Sequence, residues 1–447
     1  MTPSGGIVRF DDARPIALAI AREAVTEGLD GVLIRDVLGR FCLALDDRHR
    51  ELPEEAVARW RAELTERLGL YAAPNTILRA SELFAAEAVF DSPRILDEPE
   101  LAGHFGPGRI RTLDNTVVGE DWSHVTIPSP LESGIQTARV ALYGFKGGVG
   151  RSTAAYMLGK HLADRGWCVL VVDLDLESPG SGALLLNEEA APQYGLVDHL
   201  VEFALRNAEG LDLVERASGV SITGNGELWV APARGRGSGN APYAYVDKLN
   251  RVYSDAVGGA LPSFADRLEC AVSACGMAVA ERSRQPDVIL LDSRAGIHDI
   301  AAIAISRLCD LALLFGSDNS QTWQGYGDLF AAWRSSGQAE AIREKLRMVA
   351  SMVPDKRRAD YLGTFRDHAW TCFSVLYDDL PPGDMSGFNP SPEDTAAPHY
   401  PIPILFSLDL VGLDGAANPG WSEQTFAQAA YEEFLDTAMR LITEGLQ

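Results

Sequence analysis

The chain has 447 residues, enough for two or three domains, and its 46% hydrophobic content supports an ordinary buried core. A formal net charge of −24 argues against nonspecific binding to DNA or anionic lipid, which draws on Lys and Arg. Six scattered cysteines form no CxxC pair, so zinc and iron–sulfur chemistry is not indicated. With no basic-then-apolar leader and no apolar run of membrane-spanning length, a cytoplasmic protein without membrane attachment is expected.

Residues 1–135 read as a smaller, mainly helical domain followed by a connecting arm. Residues 13–27 carry a helical pattern closed by Gly28. A hairpin over 32–45 turns near Leu38 and Gly39. Pro53, Glu54 and Glu55 open a helix that runs to Leu68, with acids in its first turn. Residues 81–90 read as a further short helix, and 93–118 as the arm. Trp122 and the Pro128, Ser129, Pro130 stretch lead into the next domain. His49 and His104 have no metal-ligand spacing and are expected to be solvated or core histidines.

The informative stretch starts at Val140. A short apolar run, 140–143, predicts a buried strand. A glycine-rich turn follows, then a helical pattern over 154–165 that Gly166 stops. A second apolar run, 167–172, ends in Asp173, Asp175 and Glu177. Strand, glycine turn, helix and strand make a βαβ unit. The glycines let backbone N–H groups converge on a polyphosphate, and the helix N-terminus favours negative charge. Ser152 stands where a hydroxyl joins a magnesium shell. Asp173 and Asp175 leave a parallel strand at its carboxyl end, where such sheets place ligands.

A helix is expected from Gly195, a strand over 227–231, and a glycine-rich surface loop over 233–240. Helices follow over 245–257 and 264–282. Four apolar residues, 288–291, then run into Asp292, Ser293, Arg294, Ala295 and Gly296, with a helix over 299–308. A strand is expected over 311–315, a helix ending near Arg334, and a strand over 346–353. Residues 378–400 read as an irregular excursion, and 402–408 as the last strand, followed by Asp409, Leu410, Val411 and Gly412. Residues 422–447 read as one amphipathic helix, too acidic for anionic lipid and expected to pack on the domain.

The general phosphate-loop pattern is GxxxxGK[ST]. Here Phe145 stands for its first glycine and Arg151 for its lysine. The remainder, Lys146, Gly147, Gly148, Val149, Gly150, Arg151, Ser152, resembles the deviant Walker A motif KGGVGK[ST] of the ParA/MinD group of P-loop ATPases, as a KGGVGR subgroup. Asp292 to Gly296 resembles the group's Walker B strand end, with Arg294 in place of a proline. The resemblance spans Val140 to the C-terminus.

It implies a doubly wound, mostly parallel α/β sheet over residues 136–447. It implies ATP and Mg²⁺ as cofactors, with ATP on Gly147, Gly148, Val149, Gly150, Arg151, Ser152, Thr153 and Gly296. Ser152, Asp173 and Asp292 would hold the metal and its waters. Lys146, Arg151 and Asp175 would be catalytic: Lys146 reaching a nucleotide across a homodimer, Arg151 replacing the lysine at the phosphates, Asp175 orienting water. Arg151 is larger, planar and permanently charged, so slow hydrolysis is expected. Arg294 is expected to pair with a surface carboxylate, the alternative being a guanidinium fork on phosphate. The expected function is a nucleotide-switched dimer that recruits or positions an unnamed protein partner. The alternative is a sensor or adaptor with little hydrolysis in a bacterial defence or signalling system. A bacterial tyrosine kinase, which shares this loop type, is disfavoured because only Tyr431 lies in the final helix.

Overall fold

A computed structural model of the chain describes residues 8, 10–26, 28–36, 38–49, 52–92, 94–97, 108–115, 122, 125, 137–237, 243–253, 262–383, 386–411, 418 and 420–446. His104, the 128–130 stretch, the expected boundary at 135, the end of the 245–257 helix and Gly412 lie outside these residues. Two compact units form, 1–120 and 121–447.

The first unit contains α1 (Phe10–Thr26), β1 (Gly31–Arg35), β2 (Phe41–Leu45), α2 (Glu54–Leu68), β3 (Ala72–Arg79), α3 (Glu87–Phe90), β4 (Leu96–Asp97) and β5 (Ile110–Asp114). The expected helices over 13–27 and 54–68 and the hairpin are present, but the helix expected over 81–90 shortens to α3, preceded by a single 3-10 turn at Ala80–Glu82. Asp36 shapes the hairpin turn, its Oδ1 accepting the amides of Leu38 and Arg40 at 2.9 Å. The segment expected to be mainly helical also holds a five-stranded sheet, ordered β3-β2-β1-β5-β4. Two of its strands, β4 and β5, come from the stretch read as a connecting arm. Their apolar alternation is too short and weak to register as strand in sequence. What makes them strands is pairing, β5 lying parallel to buried β1 from Gly31↔Ile110 to Arg35↔Asp114.

The second unit contains β6 (Ala138–Gly144), α4 (Arg151–Asp164), β7 (Cys168–Asp173), α5 (Ser181–Leu185), α6 (Leu196–Ala204), β8 (Glu215–Arg216) and β9 (Glu227–Ala231). These are followed by α7 (Tyr245–Val252), α8 (Phe264–Arg282), β10 (Val288–Asp292), α9 (Asp299–Ile303), β11 (Leu311–Gly316), α10 (Ser320–Ser335) and α11 (Ala339–Arg343). The last elements are β12 (Leu346–Val353), α12 (Arg358–Phe373), β13 (Ile402–Leu405) and α13 (Thr425–Gly445). The sheet order is β13-β12-β11-β6-β10-β7-β9-β8, parallel throughout except where β8 meets β9. This is the expected doubly wound α/β architecture.

Both faces of the sheet are covered. Alternate residues of β6 point to opposite sides, Ala141 and Tyr143 into one core and Val140 and Leu142 into the other. The second core is closed by α4 and the tail helix α13, through Phe434, Ala438 and Ile442. The tail therefore packs on the domain. Trp421, just before α13, packs against Tyr156 of α4 with ring centroids 4.8 Å apart and the planes tilted by 35°. The central strand β6 lies between β11 and β10, and the glycine turn leaves its carboxyl end. That is the position at which open α/β sheets form a crevice.

Candidate functional site

The crevice is built from the ends of three neighbouring strands. Asp292, the last residue of β10, is in register with Asp173 on β7 and with Leu142 on β6. Both carboxylates are buried, and both are in the same layer at the sheet's carboxyl edge.

The glycine turn folds over this edge. Gly148 and Gly150 take φ of 77° and 82°, which a side-chain-bearing residue adopts only under strain. Gly144 is required by close approach: a Cβ there would meet Val149 Cγ2 at 3.0 Å and Arg151 Cδ at 3.1 Å. A Cβ on Gly147 or Gly148 would instead meet nothing within 4 Å, so the turn's outer face is open. Among the described residues, the amides from Gly147 to Thr153 donate to no backbone carbonyl. The first turn of α4 adds the positive end of a helix dipole. An anion fits this cradle.

Asp173 holds the following loop. Its Oδ1 accepts the Asp175 amide at 3.2 Å, and its Oδ2 accepts the amides of Gly180 and Gly182 at 3.0 and 2.9 Å. A Cβ on Gly180 would come within 2.6 Å of Ser152 Oγ, so this loop lies against the start of α4. Asp292 differs: both of its oxygens are buried and unpartnered, as are the hydroxyls of Ser181 and Ser293. The hydroxyls of Ser152 and Ser181 face Asp292 closely enough to favour its charged form, as does Arg151. Burial outweighs them and raises the Asp292 carboxyl above its ordinary range. Burial first, then the Asp292 charge, push Asp173 up to about 8. Two buried carboxyls side by side with an unpartnered rim of oxygens are what a divalent cation relieves. Among the described residues no cluster of three or more His, Cys, Asp or Glu forms. A cation here would rely on these two carboxylates, serine hydroxyls and ligand oxygens, a set that suits Mg²⁺.

Arg151 is buried in the crevice, where its Nη1 donates to the carbonyl oxygen of Ser293. Its Nη2 lies 3.9 Å from Asp175 Oδ2. Burial raises the Asp175 carboxyl, and Arg151 opposes that shift. Lys146 is exposed and forms no ion pair among the described residues. Gly296, at φ 80°, donates its amide to the carbonyl of Gly144 at 3.3 Å. Arg294 reaches the Glu177 carboxylate at 2.5 Å, with the Tyr253 hydroxyl donating to the same carboxylate at 2.5 Å. Arg294 thus pairs with a carboxylate, a half-buried one from the loop after β7.

The model of the CobQ/CobB/MinD/ParA nucleotide binding domain matches residues 140–367. The chain belongs to this family. Within the CobQ/CobB/MinD/ParA family, the MinD cell division protein of Aquifex aeolicus is 18% identical over 69% of this chain and 98% of its own, at a TM-score of 0.39. A structure of pNOB8 ParA bound to nonspecific DNA is 16% identical over 70% of this chain and 100% of its own, at a TM-score of 0.41. Cobyrinic acid a,c-diamide synthase from Mycobacterium smegmatis, with bound ADP and magnesium, is 16% identical over 69% and 96%, also at 0.41. No curated protein sequence matches the chain.

Of the residues expected from sequence, Arg151, Asp173, Asp175 and Asp292 come together at the sheet's carboxyl edge, and the turn over Gly147 to Thr153 folds above them. Lys146 is exposed. Ser181, Ser293 and Tyr431 were not foreseen. Tyr431, buried on α13, lies 3.6 Å from where a Cβ of Gly150 would sit, and its hydroxyl meets Thr153. No spacing in the sequence links a tail tyrosine to a turn nearly three hundred residues earlier.

Proposed function

We propose that the chain is an ATP-binding, slowly hydrolysing switch of the ParA/MinD type. It acts as a dimer when loaded, works in the cytoplasm, and recruits or positions a protein partner. The observation that carries this reading is the buried, unpartnered Asp292 carboxylate beside Asp173, under an open turn whose amides lack backbone acceptors. Polyphosphate oxygens on the turn and a cation at the carboxylates satisfy both halves at once.

In this reading the amides of Gly147 to Thr153 bind phosphate oxygens, and Arg151 adds a guanidinium fork. Ser152, Asp173 and Asp292 would hold Mg²⁺, which supplies charge neutralisation at the phosphates. Asp175 orients the attacking water. Phosphoryl transfer rests mainly on positioning and charge stabilisation, so Asp175 need not be a strong base. Gly296 reads the terminal phosphate by exchanging its bond to Gly144 for one to the ligand. Lys146, exposed and in no ion pair among the described residues, is available to a second subunit.

A second reading, a sensor or adaptor with little hydrolysis, is favoured by one contact. Arg151 is already engaged by Ser293 and sits near Asp175, the group assigned to orient water. Calorimetry with ATP and Mg²⁺, followed by sizing in ATP and in ADP, tests both readings. Heat with ATP, and a dimer that dissolves in ADP, supports the switch. Binding with a dimer state indifferent to nucleotide supports the sensor. No heat removes both. The net charge of −24 argues against nucleic acid as a partner, whereas one similar structure holds nonspecific DNA, so a DNA-shift assay at low salt with ATP belongs in the same series.

A further inference from the structure

Ser181 opens α5, immediately after the loop that Asp173 gathers. The residues on either side of it, Gly180 and Gly182, both donate their amides to Asp173 Oδ2, at 3.0 and 2.9 Å. Those two bonds pin Ser181 between them at the carboxylate pair. Gly180 also lies against Ser152, where a Cβ would stand 2.6 Å from the hydroxyl oxygen. Gly182 has equally little room, a Cβ there meeting Pro232 at 3.1 Å and Asp173 Oδ2 at 3.2 Å. The loop is therefore held on both sides of Ser181.

Its side chain is fully buried, and its hydroxyl faces the Asp292 carboxylate closely enough to favour the charged form, yet neither group makes a hydrogen bond of ordinary geometry among the described residues. A buried hydroxyl without a partner costs about 1–3 kcal/mol, so a folded chain retains one where something else completes it. Ser293, the next residue after Asp292, is likewise fully buried with an unpartnered hydroxyl. Ser181, Asp292 and Ser293 thus each carry buried oxygen without a hydrogen bond of ordinary geometry among the described residues.

We propose that Ser181 is a positioning residue for the divalent cation, its hydroxyl holding a water of the cation's shell beside Asp292. The proposal rests on the Mg²⁺–nucleotide reading of the crevice and adds a group to it that the glycine turn and the strand-end acids do not contain. Mg²⁺ keeps several waters in its shell, and each needs a fixed acceptor or donor beyond it. Ser181 on α5 and Ser152 on α4 supply hydroxyls from two different elements, so cation binding would tie the loop after β7 to the glycine turn.

The test uses Ser181→Ala in the full chain, with Mn²⁺ as the probe and a non-hydrolysable ATP analogue. Free Mn²⁺ is read by electron paramagnetic resonance, and melting is followed without ligand. The substitution removes an unsatisfied hydroxyl, so the ligand-free variant is expected to melt at or above the wild-type temperature. Its Mn²⁺ affinity is expected to fall about tenfold, the usual effect of losing an outer-shell partner. Analogue binding measured in EDTA is expected to be unchanged. Unchanged Mn²⁺ affinity overturns the assignment of Ser181 alone. A lower ligand-free melting temperature also overturns it, because the hydroxyl would then be structural. A wild-type chain that takes up no Mn²⁺ with the analogue overturns this assignment and the nucleotide reading together.

Discussion

The guanidinium of Arg151, at the start of α4, donates to the backbone carbonyl of Ser293, the residue just beyond β10. This contact ties the glycine turn to the segment that carries Arg294 and Gly296. A lysine has one point charge on a flexible stem and no planar fork to bridge Ser293 and Asp175 at once. Arg151→Lys is therefore expected to loosen the tie. Stability without ligand should drop by about 1–2 kcal/mol, in the range for a hydrogen bond to a charged group. ATP turnover should rise several-fold. Turnover at tens per second in the wild type, with the variant no faster, would falsify the role given to Arg151.

Asp173 and Asp292 make the ligand-free protein sensitive to pH. The folded-state value of Asp173, about 8, lies above the ordinary 3.8. A carboxyl raised in this way holds its proton longer in the folded chain than in the unfolded one. Its destabilising effect is absent near pH 4, accumulates as pH rises, and is complete above about 8. Melting temperature without ligand should fall across that window. Asp292→Asn, which removes the neighbouring charge, should flatten the slope and raise stability at pH 8. The same variant should lose the melting shift that Mg²⁺ adds to ATP. A steeper slope in the variant would count against the coupling of the two carboxyls.

Lys146 is exposed and in no ion pair among the described residues. Lys146→Ala is expected to change stability by less than about 0.5 kcal/mol, as for other unpartnered surface residues. Light scattering with ATP should show a monomer where the wild type gives a dimer. A variant that still dimerises on ATP would leave Lys146 without the role proposed for it.

Tyr431 buttresses the glycine turn from the tail. Tyr431→Ala removes a buried aromatic ring from the core between α4 and α13, with an expected loss of about 3–5 kcal/mol. Tyr431→Phe keeps the ring and removes only the hydroxyl that meets Thr153. That variant should stay folded and bind ATP a few-fold more weakly, because the first turn of α4 is less firmly held. Equal affinity in calorimetry would restrict Tyr431 to packing.

Local chemistry made much of this protein legible in one dimension. The strand–turn–helix–strand unit follows from apolar runs, glycines at 148 and 150 that take positive φ, and acids at a strand's end. Consecutive residues carry all of that information, so the nucleotide crevice and the doubly wound sheet could be expected before any fold was seen. Other features depend on residues far apart. The strand β5 exists because β1 offers it an edge, and β4 because β5 does. Arg294 found Glu177, and Tyr431 found the glycine turn, only when packing brought separate elements together. Ser181 and Ser293 look like ordinary polar residues in the sequence. Burial without a partner is what marks them, and burial is a property of the assembled layers rather than of any local stretch.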